Sequence, residues 1–225
     1  MKFKNWLQSF IDGPLNWKRS RHPLKDKYIS ERKLGLGSTL TIGSRALFLE
    51  FLKEFDDEKK RTTWESIYDK SPEWTAKMLG TSKSRKKKDY GLLGRIGQKF
   101  GYEIDPEWRS IDQVWYISLP KLKKGRETPW RDEVIIEHEN LAERLEYTFF
   151  KFNEISAPLK VGIFYPGKEN EEASLERCRE MIFTQVSYFP GETYLIIFGF
   201  QDKKTGIYWH AYEIDFKGNM MQLHK

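Results

Sequence analysis

The segment Val134-Ile135-Ile136-Glu137-His138-Glu139-Asn140 places two carboxylates two residues apart, directly after an apolar run. Side chains alternate faces along an extended strand, so Glu137 and Glu139 share one side and Val134, Ile136 and His138 the other. Acids beside a buried run are costly unless protonated, paired or bound to a cation. A third carboxylate, Asp112, stands in the preceding apolar stretch among Ile111, Val114 and Trp115. If the two stretches pair side by side, Asp112 meets Glu137 and Glu139. Three such oxygen ligands suit Mg2+ or Mn2+ rather than a soft metal. An ion held there could align and acidify a water for attack on phosphorus and bear the charge that develops on phosphate oxygens. Lys151, a little further along the chain, is the local candidate for a cation near that water, and Glu139 could orient it. The plainer reading is also open, in which these acids lie on a solvated edge strand and Glu-His-Glu is simple alternation. The apolar neighbours argue against it.

The elements that must position these residues follow from period and punctuation. Residues 102–109, 110–119 and 132–139 read as three strands, with a long basic connection over 120–129. Residues 141–155 return to helical period, with Leu141, Leu145, Phe149 and Phe152 on one side, and Asn140 is placed to cap that helix. Strands at 159–166, 193–200 and 206–216 and a helix at 171–185 complete the order β-β-β-α-β-α-β-β. The expected fold class is α/β, a mixed sheet flanked by helices. Upstream, a basic and mainly helical region spans 1–100. It holds a short amphipathic helix around Trp6–Ile11, a core helix at about 45–60, short helical pieces around Pro72 and a helix at about 90–99. The sheet-bearing core is expected at 101–225.

Asp112 on one strand and Glu137-His138-Glu139 on the next make the chain resemble the PD-(D/E)xK, or restriction-endonuclease-like, nuclease superfamily. The resemblance covers roughly residues 100–200. Asp112 matches the first acid of the family motif and Glu137 the second, while Glu139 falls where the motif normally carries lysine. Lys151 on the following helix resembles the migrated lysine of some members. The run EHENLAERLEYTFFKF followed by LKVGIFY also resembles a pattern of uncharacterised members. The resemblance implies a restriction-endonuclease-like fold, a Mg2+ or Mn2+ cofactor held by Asp112, Glu137 and Glu139, and hydrolysis of DNA phosphodiesters in a restriction or other defence role. It implies a further glutamate on an upstream helix, for which Glu50, four residues before Glu54, is the candidate. It also implies a homodimer in which each protomer cuts one strand. Two other readings stay open: a nucleic-acid-binding protein on the same fold without catalysis, favoured by Glu139 in the lysine position, and a protein-interaction module.

Charge distribution bears on the partner. The chain has 225 residues and a net charge of +6. Residues 1–100 carry 23 Lys and Arg against 12 Asp and Glu, a net +11, and residues 101–225 carry 16 against 21, a net −5. A basic first half suits DNA. Candidate phosphate contacts are Lys83, Arg85, Lys86, Lys87 and Lys88, and, flanking the acidic strands, Lys121, Lys123, Lys124, Arg126 and Arg131. Each run can equally be a solvated loop. The cluster from Lys18 to Lys33 reads the same way.

Several classes are excluded. One cysteine allows no intrachain disulfide and no cysteine-cluster zinc site, and Cys178 is expected to be an inert buried thiol. Gly35, Gly37 and Gly43 are not followed by the lysine-serine/threonine pair of a triphosphate-binding loop. No apolar run approaches a membrane span, and the N-terminal stretch lacks the pattern of a secretory signal, so a cytoplasmic protein is expected. His138 is expected to be a packed or hydrogen-bonded residue facing away from the two glutamates. Most of the eight tryptophans are expected in the core.

Overall fold

The computed structural model describes residues 42–59, 64–68, 72–80, 89–108, 110–118, 130–141, 144–184 and 191–223. The expected helix near Trp6 and the Lys18–Lys33 cluster lie outside the described residues. So do Lys83, Arg85, Lys86, Lys87 and Lys88, and Lys121, Lys123, Lys124 and Arg126. The compact unit described here begins at Thr41. The helices between 44 and 99 therefore share the core of the sheet rather than forming a body of their own.

That sheet has seven strands in the spatial order of the sequence. They are β1 (Glu103–Trp108), β2 (Ile111–Ser118), β3 (Trp130–Glu139), β4 (Leu159–Phe164), β5 (Thr193–Asp202), β6 (Gly206–Asp215) and β7 (Met220–Leu223). The first three form an antiparallel meander, β3, β4 and β5 run parallel, and β6 and β7 return antiparallel. The mixed α/β sheet expected from the sequence is thus present. It gains β7, which alternation does not announce because only Leu223 of that strand is buried.

Parallel neighbours need crossovers, and these are α4 (Leu145–Glu154) between β3 and β4 and α5 (Glu171–Phe183) between β4 and β5. Two crossovers of the same hand that advance in the same direction across a sheet must cover the same face. Accordingly Phe149, Phe152, Leu175, Cys178 and Ile182 pack with Val114, Ile135, Tyr194, Ile196 and Phe198 in one core layer.

The opposite face is covered by α1 (Ser44–Lys59), α2 (Pro72–Leu79) and α3 (Gly91–Lys99). Leu47, Phe51, Phe55, Trp74, Met78, Leu93 and Ile96 pack there on Trp115, Val134, Ile136, Val161, Ile163, Leu195 and Ile197. Trp64, Trp74, Trp115 and Trp209 are all buried in this layer, as expected of most tryptophans. Gly97 lets α3 lie close to the sheet, since a Cβ there would stand 2.6 Å from Ile104 and 2.8 Å from Trp115. No helix among the described residues is long and apolar enough to cross a membrane.

Candidate active site

The last ladder pair between β2 and β3 at this end is Gln113 with Ile136. Beyond it the strands present Asp112 and Glu137 side by side, where backbone N–H groups have lost their ladder acceptors and must find others. The two acids supply them. The Asp112 N–H donates to Glu137 Oε1 at 3.1 Å, and the His138 N–H donates to Asp112 Oδ2 at 2.8 Å. The other oxygen of Glu137, Oε2, accepts from Lys151 Nζ at 2.6 Å. The structure therefore brings Asp112, Glu137 and Lys151 together.

Lys151 reaches Glu137 because it flanks the face of α4 that buries Thr148 and Phe152. The end of that helix is fastened from below. Lys160 on β4, itself buried, donates to the carbonyl of Phe152 at 2.8 Å and pairs with buried Glu192 at 2.9 Å. Burial draws the Lys160 ammonium below its ordinary value, against the opposing pull of Glu192.

The electrostatics of the pair are those of crowded, dehydrated carboxylates. The Glu137 side chain is 2% exposed. Burial first, and then the Asp112 charge, push its carboxyl up to about 8, although Lys151 pulls the other way. Burial also raises Asp112, opposed by the His138 N–H and the Lys151 charge. For Lys151, burial is the largest influence and disfavours the ammonium, but the hydrogen bond to Glu137 and the charges of Glu137 and Asp112 together outweigh it, and the group ends above its ordinary value. Lys151 is a resident cation at neutral pH.

Glu139 departs from the expectation. Its Oε1 accepts from the N–H of Leu141 at 3.0 Å, closing the turn after β3. Among the described residues no three His, Cys, Asp or Glu side chains assemble into a metal-holding group. The three-carboxylate set of Asp112, Glu137 and Glu139 is thus reduced to a pair, with Glu139 held at the strand end. Asn140 does not stand at the cap position of α4: the regular helix starts only at Leu145, and Asn140 Nδ2 donates to Thr75 Oγ1 on α2 at 2.8 Å.

Glu50 is placed elsewhere. It lies on α1, whose buried face packs on the opposite side of the sheet from Glu137, and it forms an ion pair with Lys99. Lys99 also holds Glu54 at 3.1 Å. Arg131 stands at the other end of β3, opposite Ile117, and is paired with Glu133. It is separated from Glu137 by six residues of strand, about 20 Å.

His138 faces the other layer, as alternation requires. It is buried, and its Nε2 meets the Tyr165 hydroxyl at 2.7 Å, which in turn accepts from Trp74 Nε1 at 2.8 Å. Burial lowers the imidazole to about 3, so it is neutral. Cys178 is buried and its thiol is pushed up by that burial.

Sequence reasoning missed Tyr147, whose ring centre lies 5.2 Å from Lys151 Nζ. The helical spacing of four residues between them was the available signal. It also missed Glu107, a non-glycine residue at φ 57° that contributes to raising Asp112. No family model, no curated protein and no solved structure matches the chain.

Proposed function

We propose that the chain is a divalent-metal-dependent endonuclease that hydrolyses DNA phosphodiester bonds. The observation that carries this reading is the coupled pair of buried acids on adjacent strands, Asp112 and Glu137, with the Lys151 ammonium 2.6 Å from Glu137. Two carboxylates raised by burial and mutual repulsion form a site that a dication relieves. The order of α3, the β1–β2–β3 meander, α4 and β4, with the acids on β2 and β3, supports a restriction-endonuclease-like core. A cytoplasmic restriction or defence enzyme goes with that reading.

Asp112 and Glu137 would hold Mg2+ or Mn2+, which supplies a Lewis acid for the phosphate and a more acidic water. The protein's own part is electrostatic and positional. Lys151 stays protonated, so it donates to a phosphate oxygen or to the attacking water rather than taking a proton. His138 presents its backbone N–H to Asp112 while its ring is locked to Tyr165, which fixes the end of β3. Glu139 holds the end of β3 by accepting from the N–H of Leu141.

A second reading has one observation in its favour. Glu139 stands where the motif normally carries lysine, and it is turned to Leu141 and adds its charge to that of Asp112, as suits a nucleic-acid-binding protein that does not cut. Incubation of plasmid, single-stranded DNA and RNA with the protein in Mn2+, Mg2+ or chelator separates the two. Cleavage of DNA in metal that chelator abolishes is expected. Binding without cleavage in any metal would transfer the case to the second reading.

A further inference from the structure

Helix α4 reads Leu-Glu-Tyr-Thr-Phe-Phe-Lys-Phe-Asn-Glu, four aromatic rings in ten residues. Core packing explains two of them, since Phe149 and Phe152 are fully enclosed against the sheet. Tyr147 and Phe150 are left 53% and 57% exposed. Three residues apart, they are neighbours on the solvent side of one helix. The Tyr147 ring lies 5.2 Å from Lys151 Nζ, which in turn reaches Glu137, and Phe150 stands beside Tyr147 on the exposed side of the helix. A surface helix ordinarily turns charged and polar residues outward, so two bare rings, one of them beside a half-buried cation, need a partner.

Resting on the nuclease reading, we propose that Tyr147 and Phe150 are a stacking platform for unpaired bases, and that single-stranded DNA is the substrate led to Asp112, Glu137 and Lys151. A duplex keeps its base faces stacked on one another, and rings on the convex ridge of a helix find none to cover. A single strand offers a free base face next to each phosphate. Rings set beside a cation match that alternation, which is how single-strand sites combine stacking with charge. The platform makes the site tolerant of sequence, because every base has a face to stack.

The test uses the full chain in chelator, with a labelled oligothymidylate and a hairpin duplex of equal length as probes, read by fluorescence anisotropy. Wild type is expected to bind the single strand at least tenfold more tightly than the duplex. Y147A and F150A are each expected to weaken single-strand binding by about tenfold, in line with alanine substitution at other stacking sites. Y147W is expected to restore it. Both positions are exposed, so the variants keep the wild-type circular dichroism. Equal affinity for the two probes, or alanine variants that bind as wild type does, overturns the platform. A cleavage arm in Mn2+ separates the two claims. If Y147A/F150A cuts the single strand as well as wild type does, the platform falls and the nuclease stands. Ring-dependent binding with no cleavage by wild type removes the nuclease and leaves the platform.

Discussion

The Lys151 ammonium lies 2.6 Å from the Glu137 carboxylate, 14 positions apart along the chain. The contact exists because the crossover after β3 folds α4 back over the end of its own strand. Glu137 thereby receives a cation from one side and the charge of Asp112 from the other, and burial makes the repulsion count for more. The balance leaves its carboxyl raised to about 8 in the metal-free protein.

Stability should carry the mark of this crowding. A carboxyl with a folded-state value near 8, against an ordinary 4.5, favours the folded state fully below about pH 4.5. That contribution is lost as pH rises to 8. D112N removes a second raised acid and the charge that lifts Glu137, and its amide oxygen can still accept from His138. Thermal melts in chelator should show D112N and wild type close together at pH 4.5. At pH 8 D112N should melt roughly 4 °C higher, the equivalent of about 1–2 kcal/mol in a domain of this size. The same gap at both pH values would contradict the account.

Metal affinity should depend on pH in the same window. Binding at the pair requires Glu137 ionised, so below about 8 it must displace a proton. Calorimetric Mn2+ titrations at pH 6, 7 and 8 should show affinity rising with pH, by up to about tenfold per unit. At pH 7, buffers of different ionisation heat should report close to one proton released per ion. A pH-independent affinity would mean that the ion binds elsewhere.

Lys151 is expected to act in the chemical step rather than in holding metal. K151M should lower single-turnover cleavage by about 10²–10³-fold, the scale seen when one charge-stabilising donor is removed. Its Mn2+ affinity should stay within a few-fold of wild type. K151R should recover part of the rate. Because the ammonium lies above its ordinary value, no falling limb from lysine deprotonation should appear in the rate profile up to pH 9.

On the other face, Tyr165 serves both Trp74 and His138 through one hydroxyl. Y165F removes that hydroxyl inside a buried network. Urea unfolding should place the loss at about 1–3 kcal/mol. A loss under 0.5 kcal/mol would show that the network contributes little to stability.

Much of this geometry is legible in the sequence because strand alternation is strict. Val134 to Glu139 assigns Ile136 and His138 to one layer and Glu137 to the other, and both assignments match the structure. Three features depend on tertiary facts that alternation does not contain. Glu139 shares a face with Glu137, but the β2–β3 ladder ends before it and the N–H of Leu141 captures it. Glu50 sits in a helix with the right composition, and only the packing of α1 on the opposite face shows that it is remote from the acids. Helical period puts Phe149 and Phe152 on the buried side of α4, and only the packed structure shows that nothing among the described residues covers the rings of Tyr147 and Phe150, 53% and 57% exposed.

The most direct measurement is cleavage of one end-labelled DNA strand in Mn2+ by wild type, D112N and E137Q from identical preparations, each shown to be folded by circular dichroism. The account predicts that wild type cuts and that both variants lose at least about 10³-fold in rate. Equal cleavage by all three would contradict it, since the phosphodiester would then be cut without the Asp112–Glu137 pair.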